Sequence, residues 1–167
     1  MKKPRLFIDE AFCWGCRTCE VACKQENHVP DGVKFISLTE ELCQKTDGSP
    51  NMIFHLNICR HCDDPPCEAE CPVGAISKRE DGIVLLNHEE CTGCEACLEA
   101  CPFNAIDFDN VNNVARKCNL CYQRVDSGLL PACADNICLG HCIHFGEEDA
   151  VQQMASGVRP PTEGLPV

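Results

Sequence analysis

Residues 13–23 read Cys13-Trp14-Gly15-Cys16-Arg17-Thr18-Cys19-Glu20-Val21-Ala22-Cys23, and residues 91–101 read Cys91-Thr92-Gly93-Cys94-Glu95-Ala96-Cys97-Leu98-Glu99-Ala100-Cys101. Both follow C-x2-C-x2-C-x3-C. Two residues between cysteines let a short loop curl round one corner of a cube, so that three thiolates reach three irons. Gly15 and Gly93 precede the second cysteine, where a missing side chain allows close backbone approach. Three residues before the last cysteine begin a helical turn and aim that thiolate away from its own loop.

Two further quartets complete the pattern: Cys59, Cys62, Cys67 and Cys71, then Cys118, Cys121, Cys133 and Cys138. Sixteen of the eighteen cysteines are thus accounted for. In two-cluster bacterial ferredoxins, this run holds cubane iron–sulfur clusters and its fourth cysteine ligates the other cluster. Two interlocked pairs of quartets predict four [4Fe–4S] clusters.

The chain has 167 residues with only 5% aromatics, so metal ligation must supply much of the folding free energy. The apo chain is expected to be largely disordered. Disulfides are the competing reading of a short cysteine-rich chain. Against them stand the cluster spacing and an N-terminus without a signal-peptide apolar stretch or twin arginine. No apolar run suits a bilayer span. A soluble, cytoplasmic protein is expected, with no membrane partner.

The formal charge is −12. At about −2 per cubane with four thiolates, four clusters bring it to about −20. Nucleic acid is therefore an unsuitable partner, and the acidity biases the clusters toward low potential. A globule of this length spans about 40 Å, which four clusters would cross in short hops.

The cluster motif is also an internal repeat, with Pro-Val-Gly-Ala-Ile after Cys71 and Pro-Phe-Asn-Ala-Ile after Cys101. Each leads into a predicted hairpin: 75–78 with 83–86 across Asp81-Gly82, and 106–109 with 114–116 across an asparagine-rich turn. The fold class is small α+β, stabilised by its clusters: two interlocked bacterial-ferredoxin-like modules with short hairpins and short helices. Residues 57–109 read as an inserted inner two-cluster module. Residues 1–56 and 110–150 read as the outer one, and 151–167 as an extended tail suited to docking on a partner. Strands are expected over 33–42 and 52–56, and short helices over 20–27, 95–99 and 120–126.

The four-quartet order resembles the iron–sulfur electron-transfer subunits of molybdenum and tungsten oxidoreductases, of the dimethyl sulfoxide reductase type. C-W-G-C-R-T-C-E-V-A-C, C-R-H-C-D-D-P-P-C-E-A-E-C-P, C-T-G-C-E-A-C-L-E-A-C-P, and C-N-L-C-Y-Q-R followed by P-A-C and I-H-F-G carry the resemblance over residues 4–148. It implies a partner with a molybdenum or tungsten pterin, a second electron-transfer protein, and a non-catalytic role for this chain. Its shortness is similar to the small subunits that accompany tungsten enzymes of anaerobic metabolism, such as tungsten-dependent benzoyl-CoA reductase. A free polyferredoxin and a zinc-binding module are the competing readings.

The family's pattern implies four ligand sets. Cys13, Cys16 and Cys19 share one with Cys138, and Cys118, Cys121 and Cys133 share one with Cys23. Cys59, Cys62 and Cys67 join Cys101, and Cys91, Cys94 and Cys97 join Cys71. The family usually places three residues between the last two cysteines and a proline after the final one; here there are four, and Leu139 follows. Cys142 is therefore the runner-up for Cys138. If the fourth quartet is incomplete, three clusters are expected.

Among the remaining residues, Cys43 reads as a small buried hydrophobe, and Trp14 as a shield over a cluster or a partner contact. His61 reads as a backbone-bonded or cluster-tuning residue, and Asp64-Pro65-Pro66 as a rigid loop. Arg60, Arg116, Lys117 and Arg124 either offset cluster charge or are solvated, and His141 and His144 are structural. No phosphate loop, dinucleotide fingerprint or nucleophile–base pair is present, so a catalytic role has no support.

Overall fold

Four antiparallel strand pairs and four short helices connect the cysteine loops in a computed structural model that describes residues 3–134 and 136–147. The tail over 151–167 lies outside the described residues. The order is β1 (Pro4–Ile8), α1 (Thr18–Glu26), β2 (Ile36–Gln44), β3 (Pro50–Ile58), α2 (Pro66–Ala69), β4 (Ile76–Lys78) and β5 (Val84–Leu86). Then come α3 (Ala96–Ala100), β6 (Ile106–Asp109), β7 (Val114–Lys117), α4 (Tyr122–Asp126) and β8 (Ile143–Glu147), with a 3-10 turn over Glu10–Phe12 after β1.

Two repeated hairpins follow the two Ala-Ile pairs. Ile76 pairs with Leu86, and Ile106 with Lys117. Asp81 turns the first by accepting from the Ile83 N–H at 3.2 Å. Asp109 turns the second, accepting from Val111 and Asn112 N–H groups at 3.1 Å each. The inward residues Ile76, Val84, Ile106 and Ala115 meet Cys67 and Cys97 in one small core. Strand β7, which a module boundary after residue 109 leaves outside, hydrogen-bonds to β6 and contributes Ala115 to that core.

A second core forms between α1, the inner half of the β2–β3 hairpin, and the C-terminal cysteines. Val33, Ile36, Leu38, Leu56 and Ile58 pack there with Cys19, Cys23, Cys118, Cys133 and Cys138. The far half of the hairpin projects outward, leaving Leu42 and Met52 exposed as a cross-strand pair. Strands β1 and β8 close the fold by pairing Pro4–Ile8 with Ile143–Glu147.

Three differences from expectation have local causes. Helix α1 begins at Thr18 rather than 20 because Arg17 is left-handed and turns the chain straight into it. Helix α2 replaces the expected rigid loop: Pro66 stands at the first helical position, where its fixed φ and missing N–H cost nothing. Cys43 is only half-buried on β2, accepting from Asn51 Nδ2 at 3.5 Å, because it sits on the projecting half of the hairpin.

The halves are joined by polar contacts. Arg5 donates to the carbonyls of Arg60 and His61 and pairs with Asp63 at 2.9 Å. Arg79 pairs with Asp126 at 2.7 Å, and the Lys34 N–H donates to Asp107 at 2.9 Å. Within the larger core, buried Glu20 ties α1 to β2 by accepting from the Leu38 N–H at 2.7 Å. Glu20→Ala would leave that N–H unpaired, so thermal unfolding of the holoprotein should show a loss of about 1–3 kcal/mol. An unchanged melting temperature would show that the carboxylate contributes nothing.

Candidate functional site

Left-handed backbone recurs at the same place in all four cysteine loops. The residue before the second cysteine is Gly15 (φ 67°), His61 (φ 47°), Gly93 (φ 71°) or Leu120 (φ 56°). Such residues turn successive N–H groups toward one concavity suited to an anion. At two of the four positions glycine is enforced twice over. A Cβ on Gly15 would collide with the Phe54 ring, and one on Gly93 with the Asn113 carbonyl.

The loops gather their thiols into four groups. Cys59, Cys62, Cys67 and Cys101 line one pocket, and Cys71, Cys91, Cys94 and Cys97 line another. Cys19 lies within electrostatic range of Cys13 and Cys138, and the Cys16 sulfur accepts from the Leu139 N–H. Cys133 is close to both Cys23 and Cys121, and Cys118 to Cys23 and Cys133. Each of the two pockets thus gathers three thiols of one quartet and the fourth of another, and Cys138 and Cys23 lie within electrostatic range of thiols of the opposite quartet.

Adjacent groups also lie within electrostatic range of one another in order. Cys19 links the first group to Cys23 and Cys133, Cys118 interacts with Cys59, and Cys67 interacts with Cys97. This is a linear succession through the protein. Cys16 and Cys94 are its two exposed cysteines, and they belong to the two end groups.

Hydrogen bonds converge on the sulfurs. Asn27 Nδ2 donates to Cys121 Sγ at 3.5 Å and to Cys23 Sγ at 3.7 Å. Thr18 Oγ1 donates to Cys16 Sγ at 3.3 Å, and the N–H groups of Leu120 and Ala105 donate to Cys118 and Cys101 at 3.3 and 3.5 Å. Sequence reasoning passed over Asn27, yet it follows Cys23 by four residues at the end of α1, where helical spacing brings it onto the same face.

Burial dominates the acidity of these thiols. It pushes Cys19 and Cys23 up to about 12 and Cys97 to about 11. Cys118 and Cys133 are also raised, chiefly by burial. Cys16 is lowered instead, chiefly by the Thr18 hydroxyl. Buried thiols pushed this high ionise only when metal cations replace their protons. Among the described residues, no three of His, Cys, Asp and Glu converge on one point that a single metal ion would occupy. The donor set fits a polynuclear iron–sulfur group, whose iron atoms are spread apart.

The irregular fourth quartet places two thiols together. Cys142 is 1% exposed, its Sγ lies 3.4 Å from Cys138 Sγ, and its N–H donates to Cys138 Sγ at 3.3 Å. Burial and contact with Cys138 and Cys13 push the Cys142 thiol up. Both cysteines therefore stand at the first group.

Of the four cations flanking cysteines, three are engaged elsewhere. Arg60 lies over the Phe103 ring, Arg116 pairs with Asp109, and Arg124 pairs with Glu26. Lys117 alone is buried, donating from Nζ to the carbonyls of Val84 and Cys118, within electrostatic range of Cys67. His61 accepts at Nδ1 from the Val84 N–H at 3.0 Å. Burial, with Lys117 and Arg5 nearby, holds it well below the usual histidine range, so it is neutral. His144 stacks on Phe7. Trp14 is 67% exposed.

Comparison with known proteins agrees with this chemistry. The family described as 4Fe-4S dicluster domain matches residues 50–148. The corresponding component of the tetrathionate reductase of Salmonella typhimurium is 39% identical over 144 residues, 85% of this chain and 57% of that protein. That of the anaerobic dimethyl sulfoxide reductase of Escherichia coli is 36% identical over 155 residues, 88% of this chain and 75% of that protein. Its counterpart in Haemophilus influenzae is 34% identical, with 98% and 85% covered.

The glycine constraint separates metal assembly from simple backbone strain. Gly93→Ala should cost about four irons per chain, one cubane, in anaerobically purified protein. Gly48→Ala carries the same kind of positive φ (83°) with nothing within 4 Å of the added Cβ, so full iron is expected there. Equal iron in both variants would contradict the close-approach reading.

Proposed function

This chain belongs to the 4Fe-4S dicluster family, and on that premise we propose that it carries four [4Fe–4S] clusters between a molybdenum- or tungsten-pterin subunit and a second redox carrier. It is an electron-transfer component of an oxidoreductase complex and not the catalyst. The proposed ligand sets are Cys13, Cys16, Cys19 and Cys138; Cys118, Cys121, Cys133 and Cys23; Cys59, Cys62, Cys67 and Cys101; and Cys91, Cys94, Cys97 and Cys71. Cys142 is the alternative to Cys138.

The observation that carries the reading is the linear succession of thiol groups with one exposed cysteine at each end. Each cluster, when bound, takes up and returns one electron. The chain's own residues hold the thiols, direct Asn27, Thr18 and backbone N–H groups at their sulfurs, and exclude water from the inner groups. Buried Lys117 places positive charge near Cys67 and beside Cys118, which opposes the acidity of the chain and favours the reduced state locally.

The exposed ends give electrons an entry and an exit. Around Cys16, the side chains of Phe12, Trp14 and Leu139 are exposed, and an apolar rim of this kind suits contact with a partner protein. Among the described residues no helix is long and apolar enough to cross a membrane; the proposal places the chain in the cytoplasm.

Metal analysis of the complex, purified anaerobically from its host, tests the proposal. About 16 irons per copy of this chain, together with tungsten or molybdenum, are expected. Iron on a lone polypeptide, with no pterin metal, would overturn the subunit reading in favour of a free ferredoxin. Zinc in place of iron would overturn the electron-transfer reading as well.

A further inference from the structure

Among the described residues, His61 Nε2 is the one buried side-chain nitrogen or oxygen without a hydrogen-bond partner. The residue is 3% exposed. Its other ring nitrogen accepts from the Val84 N–H, so in the neutral ring the proton sits on Nε2. A buried donor left in this state costs about 1–3 kcal/mol, and native proteins rarely tolerate one.

The ring is firmly held. Val84 on β5 fixes its plane, and Arg5 on β1 grips the His61 carbonyl. The left-handed φ of 47° at His61 keeps the ring in the cysteine loop. The nearby Lys117 offers no acceptor, being a donor committed to two carbonyls. The protein therefore orients an N–H without giving it an acceptor. His61 is also among the residues lining the pocket formed by Cys59, Cys62, Cys67 and Cys101.

We infer that His61 Nε2–H donates a hydrogen bond to a sulfur of the cluster held by Cys59, Cys62, Cys67 and Cys101, and so raises the potential of that cluster above what its thiols alone would set. This deepens the electron-transfer reading and rests on it. The direction follows from charge. Reduction adds an electron to an already anionic cluster, and a donor aimed at its sulfur stabilises the more negative state more. His61 is not an iron ligand, because the nitrogen without a protein partner carries the proton and four thiols already line the pocket.

The test is a redox titration of anaerobic holoprotein, followed by electron paramagnetic resonance, for the wild type, His61→Gln and His61→Leu. His61→Leu should keep its iron while one cluster becomes about tenfold harder to reduce, which is 59 mV for one electron. His61→Gln, which retains a donor, should lose less. A readout free of mutation is pulsed resonance on wild-type protein labelled with 15N-histidine. A weak coupling of one histidine nitrogen to one reduced cluster is expected, and it should vanish in His61→Leu.

Should His61→Leu fail to fold, the wild-type coupling decides alone: its presence supports the inference and its absence overturns it. Iron-loaded His61→Leu with every potential unmoved also overturns it while leaving the electron-transfer reading intact. A strong coupling, as from nitrogen bound to iron, overturns it in favour of ligation. Wild-type protein without any four-iron signal removes the electron-transfer reading, and the inference with it.

Discussion

Everything in this molecule depends on the fourth cysteine of each quartet leaving its own loop. Cys19 and Cys23 both sit on α1, one helical turn apart. That separation is about 6 Å along the axis, enough for one to face Cys13 and Cys138 while the other faces Cys121. Cys97 and Cys101 bracket α3 in the same way, one toward Cys91 and the other beside Cys62. A helix too short to be stable alone thus becomes the strut between two groups of thiols.

This arrangement changes what a core is. In the larger core, six of the fourteen buried residues are cysteines, so the side chains that exclude water include five of the proposed ligands and the alternative Cys142. Their burial raises the thiols and makes the metal-free state poor at holding charge. On the proposed reading, metal uptake and folding are coupled. The polar ties of Arg5, Arg79 and Lys34 join the halves across the molecule. Lys117 and His61 sit where those halves meet, each bonded to the backbone of β5 at Val84.

Much of this was legible in the residues, for local reasons. The Asp-Gly turn and the repeated Ala-Ile made the β4–β5 and β6–β7 hairpins readable, and the cysteine spacing pointed to the four thiol groups. The pairing of β1 with β8 was not readable, because it joins residues about 140 apart with no turn between them to mark it. Helix α2 was hidden by Pro65-Pro66, which reads as a loop until Pro66 is seen at a helix start. The burial of Lys117 and the solitary Nε2 of His61 arise from tertiary packing, and no spacing rule reports them. Trp14, an aromatic beside Cys13, stands largely in solvent.

The interlock itself is most directly tested by asking which cysteines silence the same cluster. Serine replacements at Cys62, Cys101, Cys97 and Cys71, each studied by electron paramagnetic resonance of the reduced holoprotein, would sort them. If thiols are exchanged between quartets, Cys101→Ser alters the same signal as Cys62→Ser, and Cys71→Ser the same signal as Cys97→Ser. If Cys101→Ser instead alters the signal lost in Cys97→Ser, each quartet binds its own cluster and the exchange of fourth cysteines is wrong.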